Sequence, residues 1–155
     1  MQRDTNGHGG YTMRFVFCVL AVALLAAACS RPPDEVRIRS AIEAMKAAAE
    51  ARKAAGVLEY LADDFTGNNG EVDRDGLARL LKMHFLQRDA IGVDIGAIAI
   101  DIDGDRATAK FEIVLSDGSG RWLPSGRETY AIISGWRRDG SGWICYNATW
   151  SNAAQ

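Results

Sequence analysis

The chain has 155 residues, with 18 basic and 20 acidic side chains and 48% hydrophobic residues. That length suits one domain with a core of its own, and the composition is that of a globular chain, not a disordered or fibrous one. A formal charge of −2 argues against nucleic acid or an anionic membrane surface as the main partner.

Residues 15–28 are an unbroken apolar run of 14 behind the positive flank Arg14. A bilayer span needs about 20 such residues. The run instead fits the apolar middle of a secretory signal, roughly 7–15 residues long and closing on small side chains. With no polar face, it does not read as a helix on the surface of a domain. The segment before it has no signal-like pattern, so Met13 is an alternative start to Met1.

The small residues end on Cys29, with Ser-Arg-Pro-Pro straight after. Residues 25–29 resemble the lipobox of bacterial lipoproteins. The resemblance implies a diacylglyceryl group on Cys29, which becomes the first residue after cleavage. Several acyl chains then give stable anchoring where one is marginal. Ala26 departs from the leucine preferred at its place, and an ordinary secreted protein cut near Ala28 is the alternative. Ser30 after the cysteine implies, by the same resemblance, the outer membrane of a Gram-negative bacterium, facing the periplasm. The expected organisation is an extension and signal at 1–28, a tether at 29–33 and a domain at 34–151. Residues 30–33, fully extended, reach about 13 Å. Two of the basic and one of the acidic groups lie before Cys29, which leaves the remaining 127 residues at −3. Of three cysteines, Cys18 leaves with the signal and Cys29 would carry lipid, so Cys145 has no disulfide partner. Its alternating apolar surroundings predict a buried thiol.

Residues 34–56 read as a long helix, with Asp34 as its cap and Ile38, Ala41, Ile42, Met45, Ala48 and Ala49 as an apolar stripe. Residues 57–65 predict a second, short helix. A Gly- and Asn-rich loop follows, then a third helix over 76–89, capped by Asp73 or Asp75. Its stripe is Leu77, Leu80, Leu81, His84, Phe85 and Arg88. The period then changes to two. Ile91, Val93 and Ile95 alternate, but after Gly96 the apolar phase moves to Ile98, Ile100 and Ile102, which predicts a β-bulge. Three further strands follow, over 105–116, 127–138 and 142–150, the last two joined by Asp-Gly-Ser-Gly, a hairpin signal. Helices followed by strands predict an α+β fold, with helices packed on one face of an antiparallel sheet.

This order resembles the nuclear transport factor 2-like superfamily, which includes SnoaL-like cyclases, ketosteroid isomerase and limonene epoxide hydrolase. The resemblance covers residues 34–151. It is carried by Tyr-Leu-Ala-Asp-Asp-Phe after the long helix, the bent strand, residues 104–113, and the hairpin with Trp136 and Trp143. It implies a cone: a curved sheet wrapped around the helices, with a pocket at the open end. A curved sheet needs the bulge that the phase slip indicates. The fold hosts many functions, so it fixes no activity.

Asp101, Asp103, Asp105 and Glu112 sit at calcium-loop spacing, but Arg106 occupies the glycine position and the flanks alternate as strands. A tight hairpin at Asp103-Gly104 is the expectation. With one histidine beyond the signal, no multi-histidine metal site exists, and neither a metal nor a cofactor is expected. The candidate pocket residues are Tyr60, His84, Arg88, Trp143, Asn147 and Thr149. His84 and Arg88, pointing into the cone, could bind an anionic ligand. Trp143, Cys145, Asn147 and Thr149 share one strand face, and by the resemblance that face lines the cone. The Asp63-Asp64 pair reads as a solvated helix end. The favoured function is a membrane-anchored lipoprotein that binds a small apolar or amphipathic ligand or an envelope protein without catalysis. A sheet face carrying Tyr130, Trp136 and Trp150 could serve a partner or a homodimer. The alternative is an isomerase, cyclase or hydrolase of the ketosteroid isomerase type, with His84 or Asp64 as acid or base.

Overall fold

The structure, a computed structural model, describes residues 33–88, 90–117, 127–140 and 142–153. The expected signal, Cys29 and the tether up to Pro32 lie outside the described residues. The residues from Pro33 onward form a compact unit by themselves, and among the described residues the buried core, from Ile38 to Cys145, lies within it. A core of its own is what a domain needs to fold alone. Among the described residues, no helix is long and apolar enough to cross a membrane.

Helix α1 (Asp34–Glu50) comes first and buries Ile38, Ala41 and Ile42. Its cap position is Pro33, and Asp34 makes no capping bond; its carboxylate is used elsewhere. The helix ends six residues earlier than the sequence predicts, and a second short helix, α2 (Ala54–Leu58), follows. Gly56 lies inside α2, where a Cβ would come within 2.9 Å of Ala48 Cβ. The glycine there serves close packing and does not stop a helix.

The helix predicted over 57–65 does not extend beyond Leu58. From Leu61 the chain is strand β1 (Leu61–Gly67), which buries Leu61, Ala62, Phe65 and Gly67. Pairing with a distant strand overrides a local preference here, as it does when a segment must complete a sheet. A turn at Asn68–Gly70 leads to β2 (Val72–Asp73) and then helix α3 (Arg74–Gln87). Asp73 caps α3, accepting from Gly76 N at 2.6 Å. The remaining strands are β3 (Ile91–Ile95), β4 (Ala99–Asp103), β5 (Arg106–Asp117), β6 (Arg127–Asp139) and β7 (Gly142–Asn152).

The sheet runs in the order β2-β1-β7-β6-β5-β3, with β4 also on β5. Most pairs are antiparallel, but β1 runs parallel to β7, so the sheet is mixed. The expected bulge is present. Ile95 pairs with Ile113 and Ala99 with Lys110, so three residues of the β3–β4 strand face two of β5. Gly96 N donates to Glu112 O at this point. The tight β4–β5 hairpin also forms, with Gly104 at φ +56° in its turn, a conformation that costs glycine least.

A second bulge was not foreseen. Gly135 pairs with Asn147 but Trp136 with Cys145, which leaves Tyr146 as an extra residue in β7. On the other side of β7, Leu61 pairs with Cys145 and Thr66 with Asn147, so β1 also breaks step at Tyr146. The side chains of β7 therefore change faces there. Trp143 and Cys145 are in the core before the bulge, and Ala148 packs on the core after it.

The concave face carries Ala107, Ala109 and Phe111 of β5 and Trp136 of β6 against Ile38 and Ile42 of α1. Trp150 lies across Gly67, where a Cβ would stand 2.6 Å from the indole ring. Gly67→Ala is expected to destabilise the fold by about 1–3 kcal/mol, the usual cost of overpacking, read as a lower urea midpoint at unchanged slope.

Candidate functional site

Where α1 packs on the concave face, the buried tryptophans Trp136 and Trp143 have their indole N–H groups satisfied internally. Trp136 is 1% exposed. Its Nε1 donates to Ser134 Oγ at 2.9 Å, and that hydroxyl donates to Ala109 O at 3.4 Å. A buried indole N–H needs such a partner.

Next to it, an ionic cluster ties the start of α1 to two hairpins. Arg138 donates to both carboxylate oxygens of Asp34, at 3.2 and 2.8 Å, and through Nε to Asp105 Oδ1 at 2.7 Å. Trp143 Nε1 donates to Asp34 Oδ1 at 2.9 Å, and the Arg138 guanidinium lies 4.8 Å from the centre of the Trp143 ring. Arg37 approaches Asp34 to 3.6 Å. These charge-assisted bonds and the cation–π contact reinforce one another. The bonds from Arg138 and Trp143 hold the Asp34 carboxyl down at about 2. Asp105, one of the calcium-spaced acids, is thereby committed to Arg138.

At the other end of the same face, Tyr130 donates to Glu128 Oε2 at 2.9 Å. The acceptor carboxylate raises the Tyr130 pKa above its ordinary value. Tyr130 pairs across the sheet with Ile113 and Asn152, and Ile132 with Trp150. Tyr130, Trp136 and Trp150 thus share the concave face, not an outer one. The outer face instead shows Ile133, 49% exposed, and Tyr146 with Arg106 and Arg137 stacked 5.2 and 5.9 Å from its ring centre.

The predicted site residues scatter. His84 is exposed on α3 and does not enter the cone, because that helix buries only the face around Leu77, Leu81 and Phe85. Arg88 is half-buried, and its carbonyl accepts from Arg52. Asp64 sits on β1, not at a helix end, and forms a two-pronged pair with Arg137 at 2.6 and 2.8 Å. That pair lowers the Asp64 pKa. Tyr60 is half-buried against the core, and its carbonyl accepts from Cys145 N. Trp143 faces inward as expected. Asn147 and Thr149 do not: the extra residue at Tyr146 turns both to the outer face, where Asn147 Oδ1 accepts from Gly135 N at 2.9 Å. Cys145 is a buried thiol, pushed up to about 12 by its surroundings.

The Asp34–Arg138–Trp143 cluster escaped the sequence reading because Asp34 is more than 100 residues from both partners, and no local pattern marks them. An open groove of about 500 Å³ was also missed. It lies between the β1–α3 connection and the outside of α3, lined by Gly70, Val72, Arg79, Leu80 and Met83 among others.

No protein-family model matches the chain, and no curated protein matches it either. Solved structures do. One is an NTF2-like protein of unknown function from Pseudomonas putida, 20% identical, with 76% of this chain and 84% of that one covered at a TM-score of 0.66. Another is an NTF2-like protein with a cystatin-like fold from Novosphingobium aromaticivorans, 21% identical, covering 87% and 88% at 0.66. A third, from the same organism and provisionally named scytalone dehydratase, is 11% identical, covering 77% and 83% at 0.67. At these identities the likeness is one of fold: the chain has the NTF2-like, cystatin-like architecture.

The Asp34 carboxyl titrates lower in the folded chain than the ordinary value near 3.9. Its contribution is full above that value and is lost as pH falls through about 2. Urea midpoints are expected to fall between about pH 4 and pH 2 in the wild type. Asp34→Asn should show a lower midpoint at neutral pH and a flatter acid limb.

Proposed function

We propose that this chain is a lipid-anchored envelope protein whose cone domain binds a small apolar or amphipathic molecule, or an envelope protein, without catalysing a reaction. The observation that carries the non-catalytic reading is the placement of the acid–base candidates. His84 is on the outside of α3, and Asp64 is exposed on β1, held by Arg137. Neither stands where a substrate in the cone would meet it, and an acid or base must reach its proton. The anchoring half of the reading rests on the resemblance of residues 25–29 to a lipobox. It puts the lipid on Cys29 and the domain in the periplasm, at the outer membrane.

A catalytic reading draws support from neighbours provisionally named as dehydratases and as an aromatic ring hydroxylase. In this chain it would use the Tyr130–Glu128 pair, the polar groups on the concave face away from the Asp34 cluster.

Native mass spectrometry of residues 30–155, purified from the host periplasm, tests the binding role. A small mass released on denaturation supports a ligand-holding cone and gives its chemical class. A clean apo mass directs the reading to a protein partner. Turnover of a released ligand, abolished by Tyr130→Phe, would overturn the non-catalytic reading. His84→Ala should leave function intact. Labelled palmitate should enter the wild-type chain and not Cys29→Ala; an unlabelled wild type would overturn the anchor.

A further inference from the structure

The turn between β1 and β2 runs through three left-handed residues in succession. Asn68, Asn69 and Gly70 have φ of +47°, +60° and +97°, a region that asparagine tolerates and glycine occupies freely. The two asparagines have different tasks. Asn68 Oδ1 accepts from Trp150 N at 3.0 Å. Asn69 is exposed, and among the described residues its side-chain amide has no hydrogen-bond partner. Gly70 is exposed too, and a Cβ there would meet nothing within 4 Å. The backbone bond that spans the pair, from Glu71 N to Asn68 O, is long at 3.3 Å, just beyond the usual range for N–H···O.

We infer that Asn69 is a site of self-modification, converting through a cyclic imide to isoaspartate and aspartate. The Gly70 amide nitrogen bonds to Asn69 Cγ. The bond from Cγ to the side-chain nitrogen breaks, and that nitrogen leaves as ammonia with the Gly70 proton. Water then opens the ring. Cleavage at Cγ gives aspartate; cleavage at the main-chain carbonyl gives isoaspartate, with the backbone one carbon longer. Nothing is oxidised or reduced, and water is the only co-reactant. The attack is intramolecular, which favours it strongly once ψ of Asn69, 30° in the structure, turns to bring the atoms together. Any residue but glycine at position 70 would put a side chain beside the attacking nitrogen. The other described asparagines are placed differently. Asn147 Oδ1 is bonded to Gly135 N, and Asn147 and Asn152 both precede alanine. Conversion puts a new carboxylate and a longer backbone at the joint where Asn68 holds β7 and Asp73 caps α3. The inference depends neither on a ligand in the cone nor on lipid at Cys29.

The test incubates the purified full chain in heavy-oxygen water at mildly alkaline pH, beside a urea-unfolded sample, and maps tryptic peptides by mass spectrometry. Asn69 lies in the peptide between Lys53 and Arg74, which separates it from Asn6-Gly7, the same pair in the expected signal. Heavy oxygen should enter at Asn69 in the native chain at a rate comparable to that in urea, and faster than at Asn68 or Asn147. An isoaspartyl methyltransferase should methylate the same peptide. In urea, where folding plays no part, Gly70→Ala should slow the conversion about tenfold or more, because a methyl group there hinders the geometry on which an intramolecular attack depends. Absence of label at Asn69 in the native chain overturns the inference, whether or not the unfolded chain converts. Equal labelling of Asn68 overturns it too. So does label without isoaspartate, or a Gly70→Ala chain that converts as fast as the wild type, since either would mean direct hydrolysis with no ring.

Discussion

The inner surface of this domain depends on one extra residue in its last strand. Without Tyr146 as a bulge, alternation would carry Asn147 and Thr149 into the cone and turn Ala148 and Trp150 out. With it, Trp143 and Cys145 before the bulge and Ala148 and Trp150 after it share the concave face. The neighbouring strands register the same event: β1 loses step at this point, and Gly135 takes its acceptor from the Asn147 side chain. Tyr146, turned outward, is covered by two guanidinium groups. One inserted residue thus sets which side chains are core, and strengthens the twist of the strands it joins.

The concave face divides into two regions of different chemistry. Around Asp34 and Trp136 it is filled, and the two indoles and the Asp34 carboxylate are bonded internally. Arg37 Nη1 is buried there with no hydrogen bond beyond its 3.6 Å approach to Asp34. Around Tyr130 and Trp150 it offers aromatic surface and a hydroxyl–carboxylate pair, which is the kind of lining that small-molecule sites use. The outside of α3 is separate from both.

Much of the fold could be read from the chain, for physical reasons. The bulge at Gly96 announces itself because the apolar residues themselves slip phase. The bulge at Tyr146 does not, because Trp-Ile-Cys-Tyr-Asn-Ala-Thr-Trp alternates plausibly on either phase, and only pairing with β6 and β1 decides. Residues 61–65 carry no β-branched side chain and look helical locally; their strand state comes from parallel pairing with β7, a partner some 80 residues away. His84 fell on a stripe drawn too wide. Among the described residues the helix packs mainly on β1, β2 and α2, so it buries a narrower face than six apolar or long side chains suggest. Asn147 and Thr149 were misplaced by an error of strand phase and His84 by one of helix rotation, while Trp143 faces the core as expected.

Asp34 is the first helical residue, so any tension passing along the backbone from residues before Pro33 enters the fold there. Its carboxylate is bonded to Arg138 and Trp143, and Arg138 in turn to Asp105. A pull on the N-terminus is therefore not borne by the first turn of α1 alone. It is shared at once with the β4–β5 and β6–β7 hairpins, whose hydrogen-bond ladders resist together. A helix end left to itself frays one bond at a time; this one is spliced to the sheet, and the domain meets a mechanical load as a single piece.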